Sequence, residues 1–218
     1  WSLMGIEVND PIITDETFDL NFTNEGGVDG TIRFLKNICG MWLLERCRKE
    51  WSADLSYPDL IEQSSKCEAF KYVINPDDSI FANPSSMTKA ISEYCKKTGQ
   101  GSPESIGEYV RCIFESLALR YKQVFQSLQK LATFEIKRLH VIGGGSRNNL
   151  LNKFTANSLN VPLYIGPSEA TAIGNIMMQA KAVGVVNDLS GIRSVINKSV
   201  SPEVFMPQDV DVWNKAYD

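Results

Sequence analysis

Apolar positions recur along this chain with two periods, and the switches between them mark out its elements. Trp1 to Met4 reads as the tail of a strand, and Pro11 and the Asp15–Glu16 region as a connection. Phe18-Asp19-Leu20-Asn21-Phe22 alternates apolar and polar residues, as a half-buried strand does, and the run Asn24 to Gly30 is a turn cluster. Ile32, Leu35, Ile38, Cys39, Trp42, Leu43 and Cys47 then fall on one stripe, which predicts a helix from Ile32 to about Trp51. A second short helix is expected within Ala53–Ser64, followed by a long, mostly irregular connection from Lys66 to Pro84. Ser85 or Ser86 caps a helix that runs through Thr98 and stops at Gly99. Ser102-Pro103-Glu104 is a start signal for the longest helix, about Pro103 to Thr133. Its buried face carries Ile106, Val110, Ile113, Leu117, Tyr121, Val124, Phe125 and Leu128.

The stretch Lys137 to Leu151 organises the rest. Leu139, Val141 and Ile142 suit a buried strand, Gly143-Gly144-Gly145 turn the chain, and Ser146 is placed to cap a helix from about Arg147 to Ser158. Val161 to Ile165 reads as a short strand and Gly166-Pro167 as a turn. Ser168 or Thr171 opens the next helix, whose small residues Ala170, Ala172 and Gly174 predict close packing against another element, and Gly184 ends it. Ser190 to Pro207 is less regular, and a final helix begins near Asp211. The order β, β, α, inserted helices, β, α, β, α is an α/β class with parallel crossovers in its second half. Ligands in such sheets sit beyond the carboxyl ends of strands, where the Gly143–Gly145 turn lies. Glycines there let a nucleotide approach backbone N–H groups. The same turn also serves plain strand–helix connections: Asn148 stands where G-x-G-x-x-G needs glycine, and the chain holds no G-x-x-x-x-G-K-[ST].

Composition narrows the partners. The 218 residues fit one large domain or a domain with an insertion. A net charge of −4, without clustered basic residues, argues against nucleic acid. No apolar run approaches the ~18–20 residues of a membrane span. The chain opens at Trp1 without Met or leader and stops in the helix-like Val212 to Asp218, so both ends read as cut from a longer protein. The five cysteines include no C-x-x-C and the chain has one histidine, which excludes an ordinary zinc site and suits reduced thiols of a cytoplasmic protein. Cys95 and Cys112 are placed to face each other on neighbouring helices. Asp77 and Asp78 read as turn formers before Mg²⁺ ligands, and His140 as a core residue rather than a base.

Several separate stretches together resemble the carboxy-terminal domain of FGGY carbohydrate kinases. They are Trp1-Ser2-Leu3-Met4-Gly5; Asn24-Glu25-Gly26-Gly27 with Leu35-Lys36-Asn37-Ile38, Gly40 and Trp42-Leu43-Leu44; Gly143-Gly144-Gly145 with Asn148 and Leu151-Asn152; and Gly166-Pro167 with Glu169 to Asn175. The second is similar to the branch of the family that phosphorylates L-rhamnulose. The resemblance implies an actin-like, ribonuclease-H-type ATPase fold with inserted helices, in which residues 1–218 form the nucleotide-side lobe and the amino-terminal lobe is absent. It implies MgATP as phosphoryl donor and L-rhamnulose 1-phosphate as product. By matching position, Gly143, Gly144, Gly145 and Asn148 would meet the nucleotide and Asn37 the sugar. Glu45 stands where a glutamine is expected, and no role is carried over to it. The family's catalytic aspartate and Ser-Gly-Thr phosphate turn would lie upstream, so no catalytic or metal-ligating residue is assigned, and this piece alone is expected to bind nucleotide weakly without transferring phosphate. An uncovered sheet edge would favour self-association. Kinases of L-fuculose or xylulose, a non-catalytic actin-like nucleotide-binding module and a structural oligomerisation domain are the alternatives.

Overall fold

The structure, a computed structural model, describes residues 2–51 and 55–218, so Trp1 and Ala53 lie outside the described residues. Ser2–Val8 forms β1, Asp15–Asp19 α1, Thr23–Gly26 β2 and Ile32–Ile38 β3. β3 is the central strand of an antiparallel sheet, paired with β1 from Ser2↔Ile38 to Val8↔Ile32 and with β2 from Thr23↔Leu35 to Gly26↔Ile32.

Two expectations fail here. The predicted helix from Ile32 is a strand as far as Ile38, and only Trp42–Glu50, α2, is helical. The apolar spacing misled because Phe34 and Ile38 point into the core while Leu35, on the other face beside the exposed Arg33 and Asn37, is buried over Gly5 and breaks the alternation. A Cβ on Gly5 would fall 2.5 Å from Leu35 Cδ2 and 2.1 Å from the Phe34 carbonyl oxygen, so glycine opposite Leu35 is a packing requirement. A strand with buried residues on both faces loses the alternation that identifies it. Conversely, Phe18 belongs to helix α1, not to a strand. Thr14 and Thr17 form a reciprocal capping box, with Thr17 N–H on Thr14 Oγ1 at 3.1 Å and Thr14 N–H on Thr17 Oγ1 at 3.0 Å. Asn21 at φ 57° turns the chain, leaving Phe18 exposed while Phe22 stacks on Phe34 at 4.8 Å.

Tyr57–Ser65 forms α3 and Met87–Lys97 α4, the latter capped by Ser86. The long helix α5 spans Ile106–Leu131, and its cap is Ser105 rather than Ser102. Glu108 closes that capping box, and Glu104 and Ser105 donate their N–H groups to its carboxylate. The expected buried face of α5 is buried from Val110 to Leu128. The irregular run before α4 is strapped to α5 and its neighbours by side chains: Phe70 N–H donates to Glu115 at 2.7 Å, Ile74 N–H to Ser116 at 2.9 Å, and Gln100 holds both backbone groups of Val73. Asp77 pairs with Arg120 at 2.6 Å and Asp78 caps Ile80, so both aspartates have structural partners, and the described residues offer no cluster of three metal-ligating groups.

Leu139–Val141 forms β4, Asn149–Leu159 α6, Leu163–Ile165 β5 and Ala170–Ala182 α7. Leu189–Ser199 then forms α8, Glu203–Phe205 β6 and Val210–Tyr217 α9. The region expected to be less regular thus holds α8, opened by an Asp188 cap on Gly191 N–H at 2.7 Å, and a strand. β4 and β5 are parallel, as the crossover through α6 requires, but β6 adds antiparallel to β5. α7 opens after Glu169, without a side-chain cap from Ser168 or Thr171. Its small face does not pack closely: Ala172 is exposed and a Cβ on Gly174 would meet nothing within 4 Å.

One continuous core joins the first sheet with α2 to α6 and α9. The second sheet hangs at its margin, with Leu163 its one fully buried large side chain among the described residues.

Candidate functional site

The glycine turn stands at the carboxyl ends of β4 and β5. Gly166 N–H donates to the Val141 carbonyl at 2.8 Å, and Gly143 N–H to that of Pro167 at 3.2 Å, so the two strand ends lock side by side. A Cβ on Gly166 would fall 2.7 Å from Ile142 Cγ2, which explains glycine there. Gly143 turns the chain at φ 83°, a conformation L-residues avoid. Gly144–Arg147 makes one 3₁₀ turn before α6 begins.

Above the turn there is room. A Cβ at Gly143, Gly144 or Gly145 would meet no atom within 4 Å. The N–H groups of Gly144 and Gly145 donate to no backbone acceptor outside the turn among the described residues. They are the orphan donors of a helical start, the kind of group that favours an anion.

Below the turn the side chains are committed. Asn148, not Ser146, caps α6: its Oδ1 accepts from Leu151 N–H at 3.0 Å. It is buried, and its Nδ2 reaches only the Met41 sulfur at 3.9 Å, leaving most of its donor capacity open. Ser146 is buried too, its carbonyl held by Asn152 Nδ2 at 2.7 Å. Asn152 is a part of the site that the residue pattern did not assign. Its signal was a buried helix face carrying polar residues, since Asn152, Thr155, Asn157 and Ser158 are all inside. Arg147 and Glu169 form an exposed pair at 3.6 Å beside the turn, with Arg147 also on Ser168 at 3.0 Å.

Asn37 stands apart from the glycines, on the exposed side of β3 opposite Leu3, and not on a helix. The chain that leaves β3 brings Met41 against Asn148, which links the two candidate regions through one short segment. Trp42, next in sequence, holds a buried Nε1 with no hydrogen-bond partner among the described residues. Glu45 is committed to a local cluster, accepting from Arg48 at 3.3 Å and from the Tyr57 hydroxyl; burial and that carboxylate push the Tyr57 phenol up to about 12.

His140 is not a core residue. It is exposed on β4 and stacks on Tyr164 at 5.3 Å, because the outer face of the second sheet is open. Partial burial and the nearby Arg138 lower its pKa, so it stays neutral at pH 7. The five cysteines are free thiols, all but Cys67 buried. Cys95 and Cys112 do meet across α4 and α5, and the contact with Cys95 together with burial keeps Cys112 protonated.

Residues 1–183 match the FGGY family of carbohydrate kinases, C-terminal domain. The chain is 60% identical over 217 residues to a rhamnulokinase from Bacteroides thetaiotaomicron, covering 100% of this chain and 44% of that protein. It is 43% identical over 211 residues to the rhamnulokinase of Bacillus subtilis, covering 97% of this chain and 44% of the relative. The chain therefore spans less than half the length of these curated relatives. Among solved structures, a ligand-bound xylulose kinase from Lactobacillus acidophilus superimposes with a TM-score of 0.70 over 99% of this chain and 43% of its own, at 17% identity. The fold is thus the α/β, actin-like fold of these sugar kinases, as the motifs implied.

Proposed function

This chain belongs to the FGGY family of carbohydrate kinases, and from that premise we propose that residues 1–218 form the nucleotide-side lobe of an ATP-dependent kinase converting L-rhamnulose to L-rhamnulose 1-phosphate. The sugar rests on the likeness to two rhamnulokinases along nearly the whole chain. The nucleotide rests on one observation: a glycine turn at the strand ends with open space beside Gly143, Gly144 and Gly145 and N–H donors of Gly144 and Gly145 that meet no acceptor among the described residues.

The residues present fit such a ligand. Bare backbone at Gly144 and Gly145 receives the nucleotide closely, as side chains there would fill the space. Asn148 and Asn152 fix the turn from beneath, and the open Nδ2 of Asn148 is the one side-chain donor of that pair aimed away from a strong acceptor. ATP supplies the transferable phosphoryl group, and Mg²⁺ travels with the phosphates. Asn37, exposed at the end of β3, offers an amide to sugar hydroxyls. The acceptor of the hydroxyl proton is assigned to the other lobe, and Asp15 and Asp19, the first and last residues of α1, are given no such role. Buried free thiols accord with a reducing, cytoplasmic setting.

The test is a calorimetric titration of the chain with MgADP, repeated on Gly144→Val. Saturable binding that the variant loses is the expected result. Equal binding by the variant would move the nucleotide elsewhere. The chain alone is expected to leave L-rhamnulose unphosphorylated in the presence of MgATP, and turnover by it would refute the division of labour between lobes.

A further inference from the structure

A second feature, independent of the glycine turn, lies where α1, the turn into β2, β3 and α5 meet. Asp19, Leu20, Phe22, Lys36, Arg120 and Gln123 are among the residues around a cavity of about 220 Å³, several times the ~30 Å³ that a water molecule takes up. Its apolar lining includes Phe22 and Val124, and its polar lining mixes the cations Lys36 and Arg120 with Asp19, Gln123 and Ser127. Lys36 projects from β3 on the core side, under the ring of Phe22 at 5.6 Å, and donates to the Leu20 carbonyl. Among the described residues it has no carboxylate partner. Arg120 gives Nε to Asp77 at 2.6 Å and Nη1 to Gln123, and its other guanidinium donors meet no acceptor among the described residues. A lysine and an arginine thus line one partly buried space, with Asp77 paired to Arg120 and Asp19 also in the lining, while donors of both cations stay unused.

The two cations repel one another across this space. Burial and the neighbouring guanidinium both lower the Lys36 pKa, with Asp77 opposing them. An oxyanion between the two cations would relieve that repulsion and use the spare donors of both groups. The rim residue Asp19 acts against it, which sets the expected affinity in the modest range.

We infer that this cavity is a binding site for a phosphate group, held between Lys36 and Arg120. The cavity exceeds the needs of a bare ion, so a small phosphorylated metabolite fits as well as free phosphate. Lys36 neighbours Asn37 on β3 but lies on the opposite face of the strand, so a bound phosphate would sit behind the proposed sugar contact.

The test is calorimetric titration of the chain with inorganic phosphate and, in a second arm, with L-rhamnulose 1-phosphate. Wild type should bind saturably in the millimolar range, and Lys36→Met should weaken binding about tenfold, a loss of roughly 1.4 kcal/mol. Asp19→Asn, an exposed rim change that leaves the core untouched, should tighten it about two- to fivefold. Gly144→Val should leave it unchanged, which separates this site from the nucleotide reading. Tighter binding of the sugar phosphate than of inorganic phosphate would identify a phosphorylated metabolite as occupant, and equal binding free phosphate. No saturation by about 10 mM of either probe, wild-type affinity in a folded Lys36→Met, no change in Asp19→Asn, or loss in Gly144→Val would overturn the assignment. Circular dichroism reports folding of Lys36→Met; if it fails to fold, Asp19→Asn decides.

Discussion

The two sheets of this molecule are built to different standards. The first, β1-β3-β2, lies against α5 and shares its core: Phe34 is fully buried, Leu35 packs over Gly5, and Tyr121 of α5 donates its hydroxyl to the Cys39 carbonyl at 3.1 Å. The second, β4-β5-β6, has strands of three residues each, an exposed His140 on one face, and a helix, α7, that leaves Ile176 63% exposed. Yet the candidate nucleotide turn sits on the second sheet, and the first only leads into the segment that brings Met41 against Asn148. The difference teaches where stability and binding reside. Regions with few buried apolar contacts open most easily, and ligand-binding elements are drawn from them. Here the turn is nevertheless fixed, because Asn148 and Asn152 tie it to α6, and α6 is packed along α5.

Substitutions should separate the two halves. The largest effect is expected from Phe34→Ala in the first sheet: loss of a fully buried phenyl should cost about 3–5 kcal/mol in urea unfolding. A loss below about 1 kcal/mol would mean that the first sheet is not the stabilising half. Next comes the buried Glu115, paired with Arg111 at 2.8 Å on α5. Burial raises its pKa above the ordinary carboxylate value, with Arg111 opposing. A raised folded pKa means that its contribution is fully present at acid pH, below the unfolded value, and is lost as pH rises through the folded value. Wild type should therefore lose stability relative to Glu115→Gln as pH is raised through that window, and a parallel pair of stability–pH curves would refute this.

Changes in the glycine turn should be smaller for folding and larger for binding. Gly143→Ala forces an L-residue into positive φ and should cost about 1–2 kcal/mol, read as a fall in the urea midpoint at unchanged slope. Gly144→Val meets no neighbour, so its stability should stay within about 0.5 kcal/mol of wild type while MgADP binding disappears. If Gly144→Val instead unfolded the chain, the open space above the turn would have been filled in solution, and the contrast between the halves would fail.

Sequence pattern reached furthest where an element is amphipathic and locally capped. The buried face of α5 from Val110 to Leu128, the Ser86 cap and the start of α9 near Asp211 needed no tertiary information, because period and capping chemistry are local. The glycine turn itself was legible, as glycine at positive φ is written in residue type, but the strand before it is not buried as expected: β4 ends at Val141 and Ile142 is exposed. Other features were decided only by the packed chain. Ile32 to Ile38 became a strand because β1 and β2 pair with it on both edges, which no spacing along the strand can announce. Asn148 took the cap from Ser146 because a 3₁₀ turn intervenes and buries the serine. His140 stayed exposed because one face of the short second sheet is left open, and the cations Lys36 and Arg120 came to line one cavity although far apart in the chain. Sequence fixes what each segment can do alone; pairing on two edges, a displaced cap and charges brought together belong to the tertiary structure, since each depends on what the rest of the chain places alongside.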